Sequence, residues 1–220
     1  MRSEGHEDPT TTGKVRNVTS QPLIVGIGGT VRPNSSSEQA LTLSLACAEA
    51  VGARTVAYGG DQLADLPIYA PGVSERHDVA RSLIRDIRRA DGVIISSPAY
   101  HGSVSGMVKN ALDYVEDLRD DDRPYLSERG VGLIVTAYGW QAAVTTLSAL
   151  RSIGHALRGW VTPYGATINS MEVSFADGAC DDERTLEQLG LVAEEVLTLA
   201  ESRAALAGGI EDLVSTAPGS

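Results

Sequence analysis

Apolar runs alternate with helical patterns along this chain, and the alternation restricts the folds that it can adopt. Two of the runs, LIVGI from residue 23 and VGLIV from residue 131, are apolar at almost every position. Strands of this kind are buried on both faces, as in a parallel sheet that helices cover on each side. The five predicted strands lie at 22–28, 53–58, 92–97, 130–137 and 160–168, and the five predicted helices lie at about 36–51, 75–90, 106–118, 141–157 and 182–205.

Consecutive parallel strands need right-handed crossover connections, which leaves few possible topologies. The pattern therefore predicts an α/β protein with a flavodoxin-like, doubly wound five-stranded parallel sheet and helices on both faces. We expect one domain at 21–206, preceded by a flexible N-terminal arm at 1–20 and followed by a flexible C-terminal tail at 207–220. Ligands of such sheets bind beyond the carboxyl ends of the strands, so the loops after the first, third and fourth strands form the candidate site.

The formal charge of −11 disfavours binding to nucleic acid or to an anionic membrane surface. Most of this charge lies late in the chain, because the segment from Glu172 onward carries −9 and residues 1–171 carry only −2. The earlier part can therefore hold an anionic ligand. No apolar run approaches the ~20 residues of a transmembrane helix, so we expect a cytoplasmic protein without membrane contact.

The loop after the first strand is rich in groups that bind a phosphate. Its hydroxyls belong to Thr30, Ser35, Ser36 and Ser37. Arg32 adds a positive charge, and the predicted helix adds its N-terminus, which attracts anions. Ser35 and Glu38 also have the spacing of a capping box, an interpretation that is compatible with phosphate binding.

A dinucleotide-binding fingerprint is the alternative for this loop, and its spacing fails. A G-x-G-x-x-G pattern that starts at Gly26 and Gly28 meets Val31 at the third glycine position. No lysine follows in the spacing of a Walker loop either. The loop therefore favours the phosphate of a mononucleotide.

The loop after the third strand, SPAYHGSVSG from residue 97, suits a planar heterocycle. Gly102, Ser103 and Gly106 allow a flat ligand to approach the backbone, while Pro98 fixes a turn and Tyr100 offers an apolar wall. His101 is either a solvated loop residue or a candidate catalytic residue. The loop after the fourth strand adds Tyr138, Gly139 and Trp140, which are equally compatible with ligand contact, ordinary packing or a subunit contact.

Two segments, GTVRPNSSSE from residue 29 and SPAYHGSVSGMVKNALDY from residue 97, together resemble the NADPH-dependent FMN reductase family. The linker DLPIY from residue 65 is similar to that family as well. The resemblance implies that Arg32, Ser35, Ser36 and Ser37 meet the FMN phosphate. It also implies that the isoalloxazine is lined by Pro98, Ala99, Tyr100, His101, Gly102 and Ser103, and that Tyr138, Gly139 and Trp140 approach its far side.

The function that this resemblance implies is an oxidoreductase in which bound FMN carries the chemistry. NADPH or NADH would reduce the flavin in a ping-pong reaction, and FMN, a quinone or another small molecule would be the electron acceptor. A homodimer or higher homo-oligomer is expected, since the helix at 106–118 packs between subunits in relatives; a plain amphipathic helix is the alternative. No histidine cluster, carboxylate pair or paired cysteine spacing suggests a metal. Two other functions stay open: a pathway-specific FMN dehydrogenase and a non-enzymatic electron carrier.

Overall fold

The computed structural model describes residues 21–176 and 178–216, with side chains up to residue 206, and its centre is a parallel sheet. The long strands are β1 (Leu23–Gly28), β2 (Arg54–Tyr58), β3 (Gly92–Tyr100), β5 (Gly130–Ala137) and β6 (Trp160–Asn169), and the short β4 (Ser103–Val104) pairs antiparallel with the end of β3. The long strands are all parallel, in the order β2-β1-β3-β5-β6. The predicted doubly wound five-stranded sheet is confirmed.

Six α-helices and one small hairpin complete the described chain. The helices are α1 (Ser36–Ala50), α2 (Gly60–Ala64), α3 (Asp78–Arg89), α4 (Gly106–Asp113), α5 (Trp140–Ala156) and α6 (Glu183–Thr216), with a 3-10 helix at Tyr114–Leu118; the hairpin pairs β7 (Phe175–Ala176) with β8 (Ala179–Cys180). The sequence pattern did not predict α2, β4 or the hairpin. Within the described residues, none of the helices has both the length and the apolar character needed to cross a membrane.

The last helix is longer than the sequence pattern indicates. It continues to Thr216, whereas the apolar period ends at about residue 205. The predicted tail at 207–220 therefore overlaps the end of α6. The predicted arm at 1–20 and residues 217–220 lie outside the described residues.

The two faces of the sheet are covered by different helices because neighbouring strand residues point in opposite directions. In β3, Val93 and Ile95 pack with apolar side chains of α3, α4 and α5, while Ile94 packs with those of α1 and α6. Glycine in the strands lets α6 approach closely. A Cβ atom at Gly92 would lie 2.4 Å from Cγ1 of Val196, and one at Gly132 would lie 2.8 Å from Cγ2 of the same residue.

A buried arginine joins the end of α3 to the start of β5. Arg129 is fully buried, and its guanidinium donates hydrogen bonds to the carbonyls of Ile87 (3.0 Å), Arg88 (2.8 Å) and Ser127 (3.0 Å). Two of these carbonyls belong to the last turn of α3, where the helix dipole favours a cation. Burial lowers the pKa of the Arg129 guanidinium to about 10. The side chain thus satisfies backbone groups that would otherwise lack donors.

We expect Arg129→Met to lower the free energy of unfolding by about 3 kcal/mol, because several buried carbonyls lose their donor at once. Urea denaturation followed by circular dichroism measures this loss. Arg119→Met is the matched control, since the Arg119 side chain is exposed in its ion pair with Asp120. Similar losses in the two variants would contradict the role assigned to Arg129.

Candidate functional site

The N-terminus of α1 gathers the hydroxyl groups that the sequence places after the first strand. Ser35 is the N-cap, and its Oγ accepts a hydrogen bond from the amide of Glu38 at 3.4 Å. The Oγ atoms of Ser35 and Ser37 are 3.3 Å apart. The amides of Ser36 and Ser37 belong to the first turn, so they have no partner within the helix. Hydroxyls, amides and the helix dipole therefore favour an anion at this helix end.

The loop before α1 is held by hydrogen bonds of its own. The Oγ1 atom of Thr30 accepts from the amide of Arg32 at 3.1 Å and lies 3.3 Å from the Arg32 carbonyl, to which it donates. The carbonyl of Asn34, whose φ is 55°, accepts from Nε2 of Gln39 at 2.8 Å. The Thr30 hydroxyl is thus hydrogen-bonded to the backbone of the loop itself. Arg32 is exposed at its tip.

Ser35 and Glu38 form one of the two hydrogen bonds of a capping box, from the Glu38 amide to Ser35 Oγ, whereas the Glu38 carboxylate bonds elsewhere. The Oε1 atom of Glu38 accepts from the amide of Gly60 at 3.2 Å, so the carboxylate is held at the connection between β2 and α2. The same connection packs directly on the anion-binding loop, because a Cβ atom at Gly60 would lie 1.9 Å from the carbonyl oxygen of Thr30. The start of α2 therefore packs against the anion-binding loop and helps to fix its position.

The end of β3 folds back on itself beside this helix end. Ala99 pairs with Val104 and Tyr100 with Ser103, and the two turn residues, His101 and Gly102, have φ values of 52° and 75°. Positive φ at both positions is typical of a type I′ turn, in which glycine is favoured. The turn places His101 on the surface.

Two buried serines fix this hairpin to α4. The Ser97 hydroxyl donates to the carbonyl of Pro98 at 2.9 Å and accepts from the amide of Ser105 at 3.0 Å. Ser105 is the N-cap of α4, and its Oγ accepts from the amide of Val108 at 3.2 Å. The path of residues 98–104 is therefore set by the helix that follows it.

Asn110 connects the linker at 65–69 to α4. Its Oδ1 accepts from the amide of Tyr69 at 2.8 Å, and its Nδ2 donates to the carbonyl of Pro67 at 2.9 Å. The hydroxyl of Tyr114 donates to the same carbonyl at 3.0 Å. The linker at 65–69 is thus fixed by hydrogen bonds to α4 and to the 3-10 helix that follows it.

A cavity of about 500 Å³ lies at the carboxyl edge of the sheet, between the α1 N-terminus and the β3–β4 hairpin. This volume is within the usual range for a small-molecule site. Nine of the predicted site residues line it: Thr30, Arg32, Ser35, Ser36, Ser37, Pro98, Ala99, Tyr100 and Tyr138. The other five lie outside its wall in this structure: His101, Gly102, Ser103, Gly139 and Trp140.

Sequence reasoning missed one whole wall of the cavity. This wall is the segment after β6, residues 170–175, and further lining residues that were not predicted are Asn34, Gln39, Thr136 and Ala137. The fifth strand ends at the same edge as the other strands, so its loop also belonged among the candidates. The run FADGAC from residue 175 contains the Asp-Gly pair that is typical of hairpin turns.

The fold and this cavity define a flavodoxin-like α/β protein with a polar, anion-compatible site at its carboxyl edge. The family model described as NADPH-dependent FMN reductase matches residues 22–172, about two thirds of the chain. The chain belongs to the NADPH-dependent FMN reductase family.

Individual relatives are more distant and are matched only in part. An NADPH azoreductase of Bacillus sp. (strain OY1-2) is 29% identical over 89 residues, which cover 40% of this chain and 47% of that protein. A quinone reductase of Escherichia coli (strain K12) is 39% identical over 61 residues, which cover 26% of this chain and 32% of that protein. The chain thus spans half or less of the length of these relatives.

One solved structure with the same fold is FerB, a flavoenzyme NAD(P)H:(acceptor) oxidoreductase from Paracoccus denitrificans. It superposes with a TM-score of 0.68 at 22% identity, and the match covers 83% of this chain and 98% of that chain. At this level of identity the likeness shows the fold alone. It confirms the flavodoxin-like class that the strand pattern predicted.

Proposed function

We propose that this chain is an FMN-dependent oxidoreductase that takes hydride from NADPH or NADH and passes it to a small acceptor. One observation carries the proposal: a single cavity joins a helix end suited to an anion with a hairpin whose backbone suits a flat ring. Membership in the NADPH-dependent FMN reductase family supports the same cofactor.

The residues present fit FMN. Ser35, Ser36 and Ser37 supply hydroxyls and first-turn amides for the phosphate, and Arg32 supplies the positive charge. Charge-assisted hydrogen bonds contribute about 1.5–3 kcal/mol each, so a few of them suffice for tight binding. The segment Pro98–Tyr100, held in place by Ser97, would support the heterocycle. Bound FMN would supply the hydride-transfer chemistry between the nicotinamide and the acceptor.

The chain's main contribution is to bind and orient the flavin and its reaction partners. Tyr100 and Tyr138 line the cavity yet are 54% and 75% exposed, so both rings border an open mouth where a second molecule can enter. His101 sits on the turn beside this mouth. We keep it as a candidate for proton delivery to the acceptor, a role that its exposed position permits.

The names of the matched relatives, azoreductase and quinone reductase, support an aromatic acceptor such as a quinone or an azo compound. Free FMN is a further acceptor within the proposal. A pathway-specific FMN dehydrogenase and an electron carrier use the same cofactor site, so they differ from the proposed function in their reaction partners.

The visible spectrum of the purified protein with FMN, recorded without oxygen before and after addition of NADPH or NADH, tests the proposed function. We expect the flavin band to bleach and to return when a quinone is added. If NADPH and NADH leave the band unchanged while a separate reductase protein bleaches it, the electron-carrier function is correct instead. Protein that binds no FMN in a titration contradicts the proposal altogether.

A homo-oligomer and a cytoplasmic location are further parts of the proposal. The apolar side chains of α4, among them Val108 and Leu112, are buried in the chain's own core, as the alternative of a plain amphipathic helix predicts. Beside α4, however, Ile68 is 82% exposed on the linker that Asn110 holds. A single exposed isoleucine is ordinary on a protein surface, so the oligomer is proposed on the resemblance to the family, in which the helix at 106–118 packs between subunits. A monomer in sedimentation equilibrium would contradict the oligomer.

A further inference from the structure

The cavity extends across four neighbouring strands, and its two ends differ in charge. Arg32 follows β1, whereas Glu172 follows β6, with β3 and β5 lying between these strands. Neighbouring strands are about 4.8 Å apart, so the ends of β1 and β6 are about 14 Å apart. The segments that carry Arg32 and Glu172 therefore leave the sheet at strand ends about 14 Å apart.

The backbone at the β6 end is fixed by hydrogen bonds. The amide of Ser170 donates to the carbonyl of Ala137 at 2.7 Å, which joins the segment after β6 to the end of β5. The amides of Glu172 and Val173 both donate to the carbonyl of Asn169, at 2.9 and 3.0 Å. Residues 170–173 therefore form a part of the cavity wall whose backbone is held by hydrogen bonds.

The Glu172 carboxylate is held in the same way. Its Oε1 atom accepts from Nε1 of Trp140 at 3.2 Å and from Nδ2 of Asn169. Two donors, one at the start of α5 and one at the end of β6, thus restrict where this negative charge can lie. Neither of these two donors carries a positive charge.

Apolar side chains border this carboxylate. Met171 is 72% exposed in the cavity wall, and Phe175 packs against the core on the α1 and α6 side while it lines the cavity. Tyr138 adds an aromatic ring from the loop after β5. An aromatic ligand finds apolar contact here, next to one fixed negative charge.

We propose that the β6 end is the subsite for the second substrate and that Glu172 is a specificity-determining residue there. It favours neutral or cationic aromatic compounds and disfavours aromatic compounds that carry an anionic group on the ring. A nicotinamide ring meets this rule, because it is neutral when reduced and cationic when oxidised. The inference rests on the proposed function, which assigns the other end of the cavity to FMN.

Binding of two matched probes, 2-naphthol and 2-naphthol-6-sulfonate, to the protein with saturating FMN tests this inference by calorimetry. A like charge at ~6 Å in water lowers affinity on the order of threefold. We therefore expect Glu172→Gln to raise the affinity for the sulfonate, relative to the naphthol, at least about threefold. Glutamine keeps an oxygen acceptor for Trp140 and Asn169, so the change removes the charge alone.

Two control variants separate this local effect from other causes. Glu194→Gln makes the same chemical change at an exposed position of α6 outside the cavity wall, and we expect it to leave the ratio of affinities as in the wild type. Glu172→Asp keeps the charge and should keep the discrimination. An equal ratio in Glu172→Gln and Glu194→Gln, or no binding of the neutral naphthol, overturns the inference. The probes bind without hydride transfer. The result of this binding test is therefore independent of whether NADPH or NADH bleaches the flavin band, which tests the proposed function.

Discussion

A buried hydrogen bond between α1 and β3 holds the two halves of the site together. The Ser96 hydroxyl donates to the carbonyl of Ser37 at 2.7 Å, and both side chains are almost completely buried. The contact is possible because β1 and β3 are neighbours in register, with Gly28 opposite Ser96. A Cβ atom at Gly28 would lie 2.4 Å from the Ser96 carbonyl oxygen, so only glycine allows this approach. The helix end suited to an anion and the hairpin that follows β3 therefore have a fixed relation.

The sheet could be predicted from sequence because its signal is long and redundant. Runs such as LIVGI are apolar at consecutive positions, and a parallel sheet covered on both faces buries them all. The hydroxyl cluster at Ser35–Ser37 was found for a similar reason, since it lies directly between a strand and a helix. For the strands and for this cluster, the local sequence pattern and the topology of the sheet led to the same prediction.

The rest depends on contacts that sequence spacing does not encode. The spacing of Ser35 and Glu38 is that of a capping box, yet the carboxylate bonds to Gly60, which is distant in the chain. The wall at 170–175 begins beside the cavity because Ser170 bonds to Ala137 at the end of the neighbouring strand β5. The turn at His101 and Gly102 places the His101 side chain on the surface, outside the cavity wall. In each case a tertiary contact or a backbone turn decided the position.

Binding of FMN and riboflavin to one double variant tests the central claim most directly, since the two ligands differ only in the phosphate. We expect Arg32→Ala with Ser35→Ala to weaken FMN binding at least about tenfold while riboflavin affinity stays within about twofold of the wild type. Arg119→Ala with Ser148→Ala, both exposed and outside the cavity, is the matched control. Unchanged FMN affinity, or an equal loss for both ligands, would contradict the claim that the α1 N-terminus holds the phosphate.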